Sequence, residues 1–383
     1  MTQLADHMAR RAATGASSAG GPTVLQPGTG PVRGDVYLPS TPETVLWGRL
    51  PSAADTPVVT VAPGTTVTVD TVSHEGLLPG QGGPDGGDPI AYFTAHGVPR
   101  DDVLWDATAV ARHCSRTTAD GPHVVTGPIA VRGAHPGDLL AVQLIEHVRR
   151  VPYGVISNRH GKGALAGELP RTPGDVSVFT RIEGEGAEAR GVLPLTEGGP
   201  GRVRFPLAEF LGILGVAAPG ARRHSVPPGV HGGNIDVNLM TAGSTVYLPV
   251  QTEGALFYVG DPHYAQGDGE VALTALEAPL RSTFRLDVIP RDRMLREFGP
   301  VTGPLVRTAG HLVPTGMDED LDEAMRRCVR AALELLTARY GMAEHLAYAY
   351  LSAATDFHVS QVVDQVKGVH AKIRLSDFEE TPK

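Results

Sequence analysis

Residues 241–260 read Thr-Ala-Gly-Ser-Thr-Val-Tyr-Leu-Pro-Val-Gln-Thr-Glu-Gly-Ala-Leu-Phe-Tyr-Val-Gly. Two runs rich in β-branched and aromatic residues, 244–250 and 254–260, predict two strands joined as a hairpin. The same texture continues outward. Pro57-Val58-Val59-Thr60-Val61 is a short β-rich run, and residues 65–72 largely alternate polar and apolar, as a half-buried strand does. Strands are also expected at 127–131, 139–145, 176–182 and 283–289. A Pro-Gly turn precedes two of these strands, at Pro63-Gly64 and Pro136-Gly137; this fits an internal duplication or common turn chemistry. Residues 78–89, dense in Gly and Pro, read as a loop.

The composition agrees. The 383 residues include 47 Gly and 32 Pro. That is about 21% of the chain against roughly 12% in ordinary proteins. Both residues are costly inside helices, so a helical bundle is excluded. Helices are expected only at 206–214, with Pro206 in its first turn, at 320–339 and at 342–354. In the second, Leu321, Ala324, Met325, Cys328, Ala331, Ala332, Leu335 and Leu336 follow the 3–4 spacing of a helix face. Asp320 with Glu323 resembles a capping box, and Gly341 suits the C-terminal end.

Three parts are expected: a flexible arm at 1–30, a β-rich part at 31–150, and a β-rich part at 151–383 that ends in helices. The last two are read as one compact unit. The net charge is −9, from 42 acidic and 33 basic residues, which argues against a nucleic-acid partner. No run approaches 18 apolar residues, so no membrane-spanning helix is expected. No secretory signal is read at the start. Cys114 and Cys328 are too few for a disulfide framework, so a reduced, cytoplasmic setting is expected.

Chemistry concentrates between His231-Gly-Gly-Asn234-Ile-Asp236 and Gly260-Asp261-Pro-His263-Tyr-Ala-Gln266-Gly-Asp268-Gly-Glu270. A hairpin at 244–260 would bring these two stretches to one end of a sheet. Asp and His side chains on Gly-rich backbone suit a divalent metal such as Zn2+. They equally suit a turn network that only satisfies backbone groups.

These strings closely resemble the acetamidase/formamidase family of amidohydrolases. Thr126-Gly-Pro-Ile129, Pro136-Gly-Asp138, Thr241 to Val250, Gln361-Val-Val-Asp364 and Gly368-Val-His370 extend the match over roughly residues 30–375. The resemblance implies a mainly β fold: a β-sandwich-like body with an added α/β portion and C-terminal helices. It implies hydrolysis of the C–N bond of a small linear amide, of formamide or acetamide type, to a carboxylate and ammonia. It also implies a bound divalent cation, Zn2+ or in some members Ca2+. The positions that match the family broadly are Asn234, Asp236, Asp261, His263, Gln266, Asp268 and Glu270. A homo-oligomer, most simply a dimer, is expected.

Three segments depart from the family pattern: Ser73-His74-Glu75-Gly76, Gly121-Pro-His123 and Ser157 to Gly163. They leave open a larger or cyclic amide as substrate. His74 and His123 sit beside strand ends and would converge on the metal if those strands are neighbours, giving one or two metals. The expected ligands are therefore Asp236, Asp261, His263, His74 and His123. Glu270 is the expected proton shuttle. Glu75 would be a general base if His74 lies in the site, and a solvated loop carboxylate otherwise. Asn234, Gln266 and His231 are the expected substrate contacts. Arg159, His160 and Lys162 read as a solvated loop. No thiol nucleophile is expected: Cys328 lies on an apolar helix stripe, and His113 and Cys114, read as strand neighbours, would face opposite ways. A metal-stabilised binding protein without turnover is the non-enzymatic alternative.

Overall fold

Along Leu139–Arg149, Leu140, Val142 and Leu144 enter one apolar layer while Leu139 and Ala141 enter another. Thr245–Pro249 does the same: Val246 and Leu248 face one way and Tyr247 the other. A strand buried on both faces is the middle layer of a stack. The computed structural model describes residues 24–82 and 87–379 and holds two large sheets.

The first sheet has nine strands, in the order Val36–Leu38, Thr65–Asp70, Leu280–Ile289, Leu139–Arg149, Thr245–Pro249, Leu305–Arg307, His311–Asp318, Lys367–Arg374 and Asp356–Gln361. The second has eleven. Its main path runs Arg202–Pro206, Arg190–Pro194, Asp175–Glu183, Tyr153–Arg159, Leu276–Glu277, Phe257–Ala265, Phe210–Val216 and Gly232–Asn234. Val124–Val131 joins it beside Phe257–Ala265 and carries Val45–Trp47 and Val59–Val61 on its other edge.

The inner faces meet in one core. Val67, Val142, Leu144, Val246, Phe284 and Val313 come from the first sheet; Val61, Ile129, Phe210, Val216, Phe257 and Val259 from the second. The core thus mixes residues from 31–150 with residues from 151–383. Helices Leu321–Tyr340 and Glu344–Ala354 cover the outer face of the first sheet through Ala332, Leu335, Leu336, Ala347 and Leu351. Helices Pro89–Ala95 and Trp105–His113 cover part of the second through Phe93, Ala107 and Val110, packed on Val124, Tyr153 and Val155.

Several expectations are corrected. The strands of residues 244–260 do not form a hairpin: Thr245–Pro249 belongs to the first sheet and Phe257–Ala265 to the second. The connection crosses the core instead of folding back, with Ala255 and Leu256 at φ 59 and 52 in its turn. The two Pro-Gly turns cross likewise, from Val59–Val61 to Thr65–Asp70 and from Val124–Val131 to Leu139–Arg149.

The expected helix at 206–214 is strand. Phe210–Val216 is buried at every position and paired on both edges, and a continuous apolar run of that length is compatible with either state. The expected loop at 78–89 ends in Pro89, which opens the helix Pro89–Ala95; Asp88 caps it by accepting from Ile90 N and Ala91 N. Of the expected arm, residues 1–23 lie outside the described residues, as do 83–86 of the expected loop. Residues 25–31 are docked: Leu25 pairs with Arg150, and the Arg281 guanidinium bonds the Gln26, Thr29 and Pro31 carbonyls.

Candidate active site

The site begins where one strand changes partners. The first half of Phe257–Ala265 pairs with Val124–Val131, up to Gly260 opposite Val125. The second half pairs with Leu276–Glu277, from His263 opposite Glu277. The switch falls on Asp261-Pro262. Asp261 has φ 53, and Pro262 has no N–H to leave unpaired. On its other edge the strand stays with Phe210–Val216, which in turn pairs with Gly232–Asn234. Asp236 follows with φ 47, its N–H on the Gly212 carbonyl. Glu270 has φ 45. Each such conformation costs of order 1–3 kcal/mol and persists only where surrounding contacts impose it.

These turns gather carboxylates and imidazoles into one buried cluster. Asp261 Oδ2 is 3.1 Å from His263 Nε2, which is 3.0 Å from Glu277 Oε1. His74 Nδ1 lies 3.6 Å from Asp261 Oδ1 and 3.9 Å from Glu277 Oε2. His123 Nε2 lies 3.8 Å from the same Asp261 oxygen, and its ring stands edge-on to that of His74, with centroids 5.2 Å apart. Asp236, Glu270 and Asp364 complete the group. All of these residues are buried, Glu270 being the most exposed at 8%. Gly212 lines the centre. A Cβ there would lie 2.6 Å from Asp261 Oδ2, 2.7 Å from His263 Cε1 and closer still to Asp236 Oδ1.

The electrostatics follow from crowding. Burial raises Asp236 well above the usual carboxylate range, and Glu270, Asp364 and Asp261 add to it. Burial likewise raises Glu270, helped by Asp364, Asp261 and Glu277. Asp364 is pushed up to about 7, by burial first. Asp261 goes the other way: burial opposes its charge, but His123, His263 and His74 hold it well below the range. Burial works against a charged His263, yet Glu277 and Asp261 raise it well above an ordinary imidazole. In His74, burial is outweighed by Asp261, Glu75 and Glu277, which lift it to about 9. His123 is lowered to about 3 by burial, against the attraction of Asp261.

Glu75 is no solvated loop carboxylate. Ser157 Oγ donates to it at 2.7 Å, Arg159 Nη2 at 2.6 Å, and Gln81 Nε2 also donates. His74 Nε2 stands 3.3 Å from it. Burial opposes its charge, but His74, Arg159 and Ser157 hold it at about 2. Arg159, read as part of a solvated loop, ends strand Tyr153–Arg159 and belongs to this group.

The other expected contacts differ in placement. Asn234 is buried with Oδ1 unpartnered. Gln266 Nε2 donates to the Asp236 and Ser360 carbonyls, leaving Oε1 unpaired. His231 packs beside Gly229 and Gly233, and burial and Arg223 lower it to about 4; no ion pair joins it to the cluster among the described residues. His113 ends a helix and Cys114 caps it, so they are not strand neighbours. Burial raises both thiols, which keeps them poor nucleophiles.

Two cluster members were missed from sequence. Glu277 is a lone acid in the apolar run Ala275-Leu-Glu-Ala278, and a charge inside a buried strand is a usable signal. Asp364 was noticed only as part of a family string.

The donor set fits a divalent cation. His74 Nδ1, Asp236 Oδ1 and Oδ2, Asp261 Oδ1 and Glu277 Oε2 are all buried without hydrogen-bond partners. Leaving such atoms unpaired costs about 1–3 kcal/mol each, more when charged. A cation among them removes that cost and the carboxylate repulsion together. A cleft of about 600 Å3 lies elsewhere, between helix Leu321–Tyr340 and the 300–305 loop. Its Arg327 and Arg330 are already paired with Asp318 and Glu323.

Residues 214–375 match the model of the Acetamidase/Formamidase family. A formamidase of Methylophilus methylotrophus is 28% identical over 193 residues, covering 39% of this chain and 47% of that protein. An acetamidase of Mycolicibacterium smegmatis is 30% identical over 205 residues, covering 39% and 49%. The matches thus span about half the length of these curated relatives. The crystal structure of an acetamidase from Bacillus halodurans superposes with a TM-score of 0.68 at 26% identity, over 90% of this chain and 99% of that one. That of an acetamidase from Yersinia enterocolitica gives 0.69 at 23% identity, over 94% and 96%, a likeness of fold. His74, Glu75 and His123 lie outside the matched residues, whereas Asp236, Asp261, His263, Glu270, Glu277 and Asp364 lie within them. Through residues 214–375 this chain is similar to the acetamidase/formamidase family, and it shares the fold of those solved acetamidases.

Proposed function

We propose that this chain hydrolyses the C–N bond of a small linear amide, of formamide or acetamide type, releasing a carboxylate and ammonia. The observation that carries the reading is the buried convergence of Asp236, Asp261, His263, His74 and His123 with unpaired donor atoms facing one another. These residues would hold a divalent cation, and zinc suits three imidazoles with carboxylates. Such a cation, when bound, supplies Lewis acidity, polarising the amide carbonyl and making water acidic enough to attack at neutral pH.

The chain's own groups do the rest. Glu270, its carboxyl raised by burial and neighbouring acids, holds a proton more tightly than an ordinary carboxyl and is the group to deliver one to the departing nitrogen. Glu75 is too weak a base for water. Its contact with His74 Nε2 instead orients that ring so that Nδ1 faces Asp261 and Glu277. The buried Asn234 amide is the candidate substrate contact. A cavity of about 20 Å3 opens beside Glu75 and Glu277, lined by Val72, Phe93, Leu104, Ala107 and Tyr153.

Ammonia release from formamide and acetamide, measured with the metal content of the same sample, tests the reading. Turnover with bound metal is expected. Metal-replete protein inactive on both amides overturns it. Glu270→Gln is expected to retain metal and lose at least about 100-fold in kcat, the scale of a positioned acid. Undiminished kcat removes Glu270 from the reaction.

A further inference from the structure

Among the described residues, one group of ligand-type side chains lies outside this cluster: Asp268, His358 and His370. We propose that these three form a second cation site, selective for a zinc-type metal, that clamps the C-terminal strand pair to the 266–270 loop. His358 and His370 are register partners in the antiparallel pair Asp356–Gln361 and Lys367–Arg374. Directly opposed side chains share a face, with Cβ atoms about 4.5–5.5 Å apart. Their rings lie nearly parallel, 8° apart in plane, with centroids 5.3 Å apart. Asp268 approaches from another segment, its Oδ2 3.0 Å from His358 Nδ1. One donor atom from each residue lies within 4.8 Å of the other two. Around zinc, bonds of about 2.0–2.1 Å set donors roughly 3.3 Å apart, so the Asp268–His358 contact already has that spacing.

The neighbours behave as supports for ligands. Asn238 Nδ2 donates to Asp268 Oδ1 at 3.0 Å and steers the other oxygen toward the rings. Ser360 Oγ engages His370 Nδ1 at 2.8 Å, which fixes that ring and leaves Nε2 for coordination. His358 Nε2 is shielded from water with no partner. A plain Asp–His ion pair employs one imidazole; it gives no role to a second that is buried, parallel and held by a serine.

Two imidazoles with one carboxylate select zinc, nickel, cobalt or copper over Ca2+ and Mg2+, which prefer oxygen. The clamp has a mechanical consequence. Gly269 N already bonds the Ser360 carbonyl at 3.0 Å, so a cation here braces the loop that carries Gln266 and Glu270.

The test uses the full chain, stripped with a chelator, reloaded with Zn2+ and freed of loose metal before elemental analysis. His358→Ala and Asp268→Asn are each expected to hold one equivalent fewer than the parent, with circular dichroism unchanged. Should one variant fail to fold, the other decides. Asp261→Asn is expected to retain this equivalent, so the inference survives even if the buried cluster binds nothing. Equal metal content in the parent, His358→Ala and Asp268→Asn overturns it. Displacement of the His358-dependent equivalent by millimolar Ca2+ overturns the assignment to a zinc-type metal.

Discussion

Gly212 shows how a residue without a side chain can define a site. Its neighbours Phe210, Leu211, Ile213 and Leu214 are all large and fully buried, so sheet pairing alone would favour another apolar residue there. The space is used instead by Asp236, Asp261 and His263. Gly212→Ala would push these donors apart by several tenths of an ångström or more. Misplacement on that scale costs up to about 100-fold. The expected outcome is loss of bound metal and a comparable fall in kcat/KM, with the far-ultraviolet circular dichroism of the parent. Full metal content would show that the cluster yields to the methyl group. Asp236, Asp261 and Glu270 make the same point from the backbone, since all three hold left-handed conformations inside the site.

Among elements, helix Leu321–Tyr340 was the most readable. Asp320 Oδ1 accepts from Glu323 N at 2.9 Å, and Gly341 closes the helix at φ 67. Only half of the expected capping box forms. Glu323 turns to Arg330, while the Asp320 N–H finds Asp318 Oδ1. Asp320→Ala should lower unfolding free energy by about 1 kcal/mol in urea titration. Amide turnover should not change, because the helix packs on the first sheet's outer face, away from strands Phe257–Ala265 and Leu276–Glu277 that carry Asp261, His263 and Glu277. Phe210–Val216 was the element most misread. Its pattern does not separate a buried strand from a buried helix turn; its two strand partners do.

For the molecule as a whole, a buried ion network ties the chain's beginning to both halves of the sandwich. Asp70 accepts Arg281 Nε at 2.7 Å and Nη2 at 3.0 Å, and Tyr37 Oη at 2.5 Å. Arg150 reaches Asp106 at 2.8 Å and Asp70 at 3.7 Å. Both arginines also hold backbone carbonyls of residues 25–31. Asp70→Asn leaves these guanidinium groups short of a charge partner in the interior, a loss of roughly 3–5 kcal/mol. Calorimetry should show a lower Tm; an unchanged Tm would mean that water reaches the guanidinium groups. On the proposed reading, stripping the cation should lower Tm as well, because a ligand bound only by the native state stabilises it by mass action. The variant and the stripped parent should then show additive losses, as the two sites share no partner.

The sequence by itself determined the class of fold and the vocabulary of the site. Gly and Pro abundance excluded a bundle, period-two runs marked strands, and the 3–4 spacing after Asp320 marked a helix, because these signals are local. Asp236, Asp261, His263 and Glu270 were conspicuous as polar residues on Gly-rich backbone, and His74 and His123 as imidazoles beside strand ends. Only the tertiary structure decided how they meet. The two strands of residues 241–260 part into different sheets, and Asp236 reaches Asp261 through Phe210–Val216, a segment read as helix. Glu277 entered through its register with His263, Asp364 through the turn after Asp356–Gln361, and Arg159 through its contact with Glu75. Pairing partners in a sheet are set by contacts between residues far apart in the chain, and no local pattern encodes which strand will lie beside which.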